Sequence, residues 1–318
     1  MLFRSRESFI ELYNDTDATV DLSQWRVRGG VDFFFPAGTM LGARGFALVA
    51  ENPAVILSRH GKTAFGPWSG GLNNDGEQVT LRDANSVKID VVDYRNEFPW
   101  PIAADGDGPS AQLVNAGLDN DLGSSWRSAL PTPGATNSVF ATNAAPNIRQ
   151  VDHSPNSPRS TNQVTVTCKV TDANGVASVA LAYQLVAPGA FIPATLPLTT
   201  AQLNNLNNVP MTNALNPAFE LPANWTTVAM HDDGVNGDEV AGDSIYSVLL
   251  PPQAHRTLVR YRITCADILG ATRRAPFEDD PSLNFAYWVY DGMPAYQGFS
   301  STTLETLQIG RASCRERV

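Results

Sequence analysis

Lysine is almost missing from this 318-residue chain, occurring only at Lys62, Lys88 and Lys169. Basic residues number 22 against 32 acidic ones, for a formal net charge of −10. Binding along a phosphate backbone depends on Lys and Arg that release counterions, so nucleic acid is not an expected partner. No apolar run approaches the ~20 residues of a membrane-spanning helix, and no membrane insertion is expected. Histidine is scarce too: His60, His153, His231 and His255 stand apart, without Cys or Asp partners at zinc-ligand spacing. The short patterns of several catalytic classes are absent, among them GxSxG, GxxxxGK[ST], HExxH and the kinase HRD and DFG sets. The expectation is a chain that is not an enzyme.

What is present is apolar residues at 43%, enough for packed cores, with 24 Gly and 22 Pro spread widely enough to disfavour long helices. A chain of this length suggests about two domains of ordinary size. From Ser8 onward the sequence reads as short strands separated by turn residues. "FIELYNDTD" alternates Ile10 and Leu12 with polar neighbours and ends in an Asn/Asp/Thr turn. "VDLSQWRV", "VDFFFPAG", "GFALVAEN" and "SAQLVN" follow in the same manner. In "EQVTLRDANSVKIDVV", Val79 and Leu81, then Val87, Ile89 and Val91, sit two apart around Asp-Ala-Asn-Ser, which describes a hairpin. No sustained 3.6-residue period occurs in this part.

The pattern pauses in the Ala/Asn/Thr/Pro stretch near 138–147 and then resumes. "QVTVTCKVT" places Val164, Val166, Cys168 and Val170 on one face, and "TLVRYRITCAD" does the same with Val259, Tyr261, Ile263 and Cys265. So clean a period of two indicates half-buried strands. "DANG" (172–175) is expected to be a hairpin turn, "NFAYWVYD" a last strand, and "TTAQLNNL" a short helix inside a long loop. The fold class expected is all-β, two consecutive antiparallel immunoglobulin-like β-sandwiches.

"FIELYNDTDATVDLSQWRV", "VDFFFPAGTML", "GGLNNDGEQVTLRD" and "SSWRSALPTPGATNS" resemble a bacterial lamin-tail domain, in the order expected of that family, over about residues 6–140. The resemblance implies an immunoglobulin-like sandwich. Family members usually begin with a strand upstream of "FIELYN", so an unpaired sheet edge is expected here. After a linker at 141–147, residues 148–291 are similar to immunoglobulin or fibronectin type III domains. "NFAYWVYDGMPAY" resembles the region preceding a spore-coat-protein-H (CotH) kinase-like domain, which implies that 292–308 begins a further domain. The ends differ in character: "IGRASCRERV" (309–318) and "MLFRS" (1–5) resemble translated sequencing adapter and are expected to be non-native. Without them the net charge is −13 and the cysteines are Cys168 and Cys265.

Those two cysteines lie 97 positions apart, each in the inward register of its own strand. In an immunoglobulin-type sandwich such strands face each other across the core, so a Cys168–Cys265 disulfide is expected, free buried thiols being the other reading. A bridge implies an oxidising compartment, hence an extracellular or cell-surface location. "HDDGVNGDEVAGDSIY" supplies Asp232, Asp233, Asn236, Asp238 and Asp243 in one glycine-spaced loop. Ca²⁺ takes about six to eight oxygen ligands, and such loops supply them, although the same residues also build turns. Asp105, Asp107, Asp119 and Asp121 are read as turns. Trp25 and Trp126 are expected in the core, whereas Trp100, in "EFPWP", is expected to be exposed and to contact a ligand. The function expected is a noncatalytic binding or spacer segment of an exported bacterial surface protein, its partner an extracellular protein or polysaccharide. The alternative is the accessory arm of a CotH-type kinase-like enzyme.

Overall fold

A computed structural model describes residues 7–105, 108–204 and 214–292. The expected adapter-derived ends, the segment 293–308 and Asp107 lie outside the described residues. The chain is all-β, built mostly of strands in antiparallel sheets with few helices.

In the first sandwich β1 (Phe9–Tyr13) pairs with β6 (Phe46–Ala50), and β2 (Val20–Asp21) pairs with β5 (Met40–Leu41). The larger sheet runs β7 (Ser69–Gly70), β4 (Val31–Phe34), β3 (Arg26–Arg28), β8 (Gly76–Arg82), β9 (Lys88–Arg95). Alternation sets its faces: Val27 is buried while Arg26 and Arg28 point away from the core. The core gathers Leu22, Val27, Val31, Phe35, Val49 and Trp68. Phe35 meets Phe33 and Phe65 edge to face, at 5.1 and 5.4 Å between centroids, so the "FFF" run feeds the core from one strand end. In the turn after β1, buried Asn14 donates to the carbonyls of Ala18 and Gly42, both at 2.8 Å, and accepts from Thr16. Among the described residues β1 pairs with β6 alone, leaving its other edge without a strand.

The helix α1 (Pro53–His60) departs from the all-strand expectation for this half. Pro53 opens its first turn, and Gly61, at φ 65°, closes it with an N–H donated to Leu57 O. It buries Ile56 against Leu48 and Ala50, a contact too short to create a visible 3.6-residue period. The hairpin β8–β9 turns through Asp83–Ser86 as expected, with a bulge beside Arg82.

The second sandwich stacks a sheet of β12 (Asn147–Ser154), β13 (Val164–Thr171) and β16 (Ile245–Leu250) on one of β15 (Thr226–Ala229), β14 (Val176–Val186), β17 (Leu258–Asp267) and β18 (Thr272–Ala275). β19 (Phe285–Trp288) also pairs with β17. β13 alternates buried Val164, Val166, Cys168 and Val170 with half-buried neighbours, and β17 buries Val259, Tyr261, Ile263 and Cys265. One correction concerns "DANG": β13 and β14 belong to different sheets, so this turn carries the chain across the sandwich and makes no hairpin. The helix expected in "TTAQLNNL" is α2 (Thr200–Asn204), and a further short helix, α3 (Pro217–Glu220), buries Phe219.

Residues 97–143 belong to neither sheet stack alone. They include β10 (Ser110–Leu113), which pairs with β11 (Trp126–Ala129). Towards the first sandwich, Glu11 accepts from Gly134 N at 2.6 Å, and Asp121 caps the free N–H of Asp93 at 2.7 Å. Towards the second, Phe98 packs on Phe277 and Phe285, and Arg127 lies 3.9 Å over the Phe277 ring while pairing with Asp279 at 3.3 Å. Ser128 donates to Asp279, and Asp280 accepts from Ile102 N. Even Asn143, in the expected linker, donates to Asp267 at 2.7 Å. The segment is a brace.

Candidate functional site

The acidic loop 232–244 rises between β15 and β16, its base pinched by reciprocal hydrogen bonds between His231 and Ser247. Asp232 folds the loop on itself: Oδ1 accepts from Gly242 N at 2.6 Å and Asp243 N at 3.2 Å, and Oδ2 from Ser244 N at 2.9 Å. Asp238, 7% exposed, accepts from Gly234 N at 2.6 Å. Gly237, at φ 100°, lies so close to Thr165 that an added Cβ would stand 3.0 Å from its Cγ2. Only glycine fits both demands.

Of the five expected ligands the fold brings three together: one carboxylate oxygen each from Asp232, Asp238 and Asp243 lies within 4.8 Å of the others. Asp233 instead accepts from Val235 N, a local turn contact, and Asn236 occupies a left-handed turn position at φ 55°. No basic side chain pairs with Asp232, Asp238 or Asp243 among the described residues. The donor set is hard, anionic oxygen, which suits Ca²⁺ chemistry, while every one of these carboxylates also organises backbone.

Trp100 corrects an expectation. It is 7% exposed and lies tilted against Trp126 at 5.9 Å between centroids, packed so closely on Gly123 that an added Cβ would sit 2.7 Å from ring atoms. The turn from Glu97 to Trp100 folds the indole inward within the brace, so the expected exposure is not found. Trp126 holds its place through Nε1–H donated to Asn120 O, and Trp25 packs against the first core. Trp288, unselected by sequence reasoning, is the exposed tryptophan at 52%.

The expected disulfide is also not made here. Cys168 and Cys265 lie in the second core from opposing sheets, both buried, and both are free thiols. Burial pushes both thiols up, Cys265 to about 12, and the nearness of Cys265 adds to the rise at Cys168. Neither is a thiolate at neutral pH, and the thiolate is the species that oxidises. The inward register expected of both residues is what the fold shows.

Sequence reasoning missed His153. It stacks on Tyr287 at 5.0 Å and meets Tyr261 Oη at 3.2 Å through Nδ1, and burial lowers its pKa. That cluster joins residues more than 100 positions apart, so no local signal marks it. The Asp105, Asp119 and Asp121 carboxylates make turn and loop contacts, with Asn96, Asp121 N and Asp93 N respectively.

Open clefts among the described residues include one of about 540 Å³ beside Gly70, Asn73 and Glu77 and one of about 410 Å³ beside Asp152, Thr167 and Lys169. Neither contains a paired nucleophile and base.

The Lamin Tail Domain family matches residues 4–96, a span ending one residue after β9. That domain is immunoglobulin-like and noncatalytic, in keeping with the sandwich found there. The brace and the second sandwich lie beyond the match. No curated protein matches the chain.

Proposed function

We propose that this chain is a noncatalytic arm of an exported bacterial surface protein, which binds and spaces instead of converting a substrate. The observation that supports it is the brace. Residues 97–143 bond to both sandwiches through aromatic, ionic and backbone contacts, so the pair acts as one rigid strut. A flexible tether would serve poorly to hold a binding face at a fixed distance. The Asp232, Asp238 and Asp243 loop would hold Ca²⁺ and stiffen the connection between β15 and β16. The Cys168–Cys265 bridge would form on export, before the core closes.

Small-angle X-ray scattering of the full chain tests the strut. One rigid elongated shape is expected, and Phe98→Ala with Phe277→Ala should broaden the distance distribution. A wild-type curve that requires two independently moving bodies would overturn the reading. The accessory-arm alternative rests on the resemblance carried by "NFAYWVYDGMPAY", whose first residues form β19. A kinase-like reading frame following Gln308 in the intact gene would favour it.

A further inference from the structure

The outward face of the larger sheet in the first sandwich carries a row of cationic side chains. Arg26 stands opposite Phe34 on one side and Arg82 on the other, and Arg82 stands opposite Lys88. Directly opposed residues share a face, while Val27 and Leu81 point to the core. Phe34, Arg26, Arg82 and Lys88 therefore form one row across four strands, about 14 Å long at ~4.8 Å per strand. Arg28 lies two residues along on the same face.

The acids on this face are already engaged. Asp32 binds Arg26 through both carboxylate oxygens, and Asp93 binds Arg95 at 2.7 Å. Arg28, Arg82 and Lys88 make no close ion pair among the described residues, although Arg28 lies near enough to Asp32 to help lower that carboxyl. Arg82 donates to Ser86 O at 2.8 Å, which holds the guanidinium in place and leaves its charge intact. Like charges set directly opposite on a sheet destabilise it. In a chain of net charge −10 with only 22 basic residues, this fold sets Arg82 directly opposite Lys88 with Arg28 on the same face. A bound anion removes that cost.

We propose that this face, with Arg28, Arg82 and Lys88 as the charged contacts and Phe34 at its margin, binds an anionic polysaccharide of the uronic-acid class. The surface is an open sheet, which suits an extended polymer better than a small molecule. Arg28, Arg82 and Lys88 lie on three adjacent strands, so an extended chain with repeated carboxylates can reach all three at once. Phe34, 50% exposed, offers an apolar edge to a sugar ring. Single-stranded nucleic acid favours aromatic platforms along a basic groove, and this row has one aromatic side chain. The proposal rests on the reading of the chain as a binding arm and names its ligand class.

The test is fluorescence anisotropy of the full chain with labelled oligogalacturonate. Binding is expected at low salt, weakening with a log–log salt slope of about 2 to 3 for three charged contacts. Arg82→Ser with Lys88→Ser should weaken it about tenfold or more, while leaving the melting temperature level or raised because the like-charge pair is gone. Lys169→Ser, on the second sandwich, should change binding less than about twofold. Absence of binding at low salt would overturn the proposal, as would equal weakening by Lys169→Ser. So would tighter binding of polyglutamate or of a single-stranded oligonucleotide of equal charge. A chain that scatters as a rigid strut yet ignores oligogalacturonate loses this ligand alone, whereas a flexible chain that binds it loses only the strut.

Discussion

The two sandwiches solve the same packing problem with different materials. The second has long strands, β14 spanning Val176–Val186 and β17 spanning Leu258–Asp267, which bury one continuous core from both sheets. The first has strands as short as two residues and divides its apolar residues between a main cluster and a small one under α1. In the turn after β1 the side chain of Asn14 takes the place of ladder bonds, and on its outward face Arg26 binds Asp32. Long alternating strands concentrate stability in burial, whereas short ones leave a surface free for charge. The cationic row lies on the first sandwich and the buried thiols in the second, which is the division of labour this difference allows.

Oxidation should widen the contrast most. If Cys168 and Cys265 are bridged during oxidative refolding of a Cys314→Ser chain, the closed loop of 97 residues should stabilise the second sandwich by about 4 to 5 kcal/mol in the chain-entropy model. The measurement is urea unfolding with and without reductant, together with a thiol assay on denatured, unreduced protein. Two reactive thiols after such refolding would end the idea. The first sandwich has no cysteine among its residues and should respond only through the brace.

How far the sequence could be read follows the same contrast. β13 and β17 were legible because one face is buried along their whole length, so Val166, Cys168, Ile263 and Cys265 repeat every second residue. α1 was not, since only Ile56 of its eight residues is buried and its marks are Pro53 and Gly61. The Asp loop was legible as a density of ligands, yet which residues converge depends on Asp232 reaching across to Gly242 and Ser244. Trp100 was misplaced because the residues that bury it, Gly123 and Trp126, follow more than 20 positions later. The cationic row needs register, and register appears only when strands pair.

Calcium offers a smaller, one-sided perturbation. At about 100 times its dissociation constant a ligand stabilises the folded state by about 2.7 kcal/mol. Millimolar Ca²⁺ should therefore raise the melting temperature of the second sandwich by a few degrees, reversed by a chelator. Asp238→Asn should abolish the rise, because Asp238 is the buried donor of the three. An unchanged melting temperature in wild type would remove the metal from the account, and a rise that survives Asp238→Asn would move it elsewhere.

The joint between the sandwiches should respond least, and to pH. Asp280 is 2% exposed, and burial pushes its carboxyl up to about 6, with the adjacent Asp279 charge adding to the rise. N–H groups of Phe277, Ala103 and Ile102 pull the other way by hydrogen bonding to the carboxylate. Arg127 is nearby, but it pairs with Asp279 and Glu278. Because the folded value lies above a carboxyl's ordinary value, the folded state holds this proton more tightly than the unfolded chain does. The stabilisation from the protonated form is complete below about 4 and is lost as pH rises through about 6. Its size is about 1 to 3 kcal/mol, the opposing hydrogen bonds already included. Asp280→Asn keeps an acceptor for Ile102 N and cannot ionise, so it should flatten the dependence of melting temperature on pH between 5 and 7. An undiminished slope in that variant would place the pH response outside the joint, whose remaining contacts, Arg127 with Asp279 and Asn143 with Asp267 among them, do not depend on the Asp280 proton.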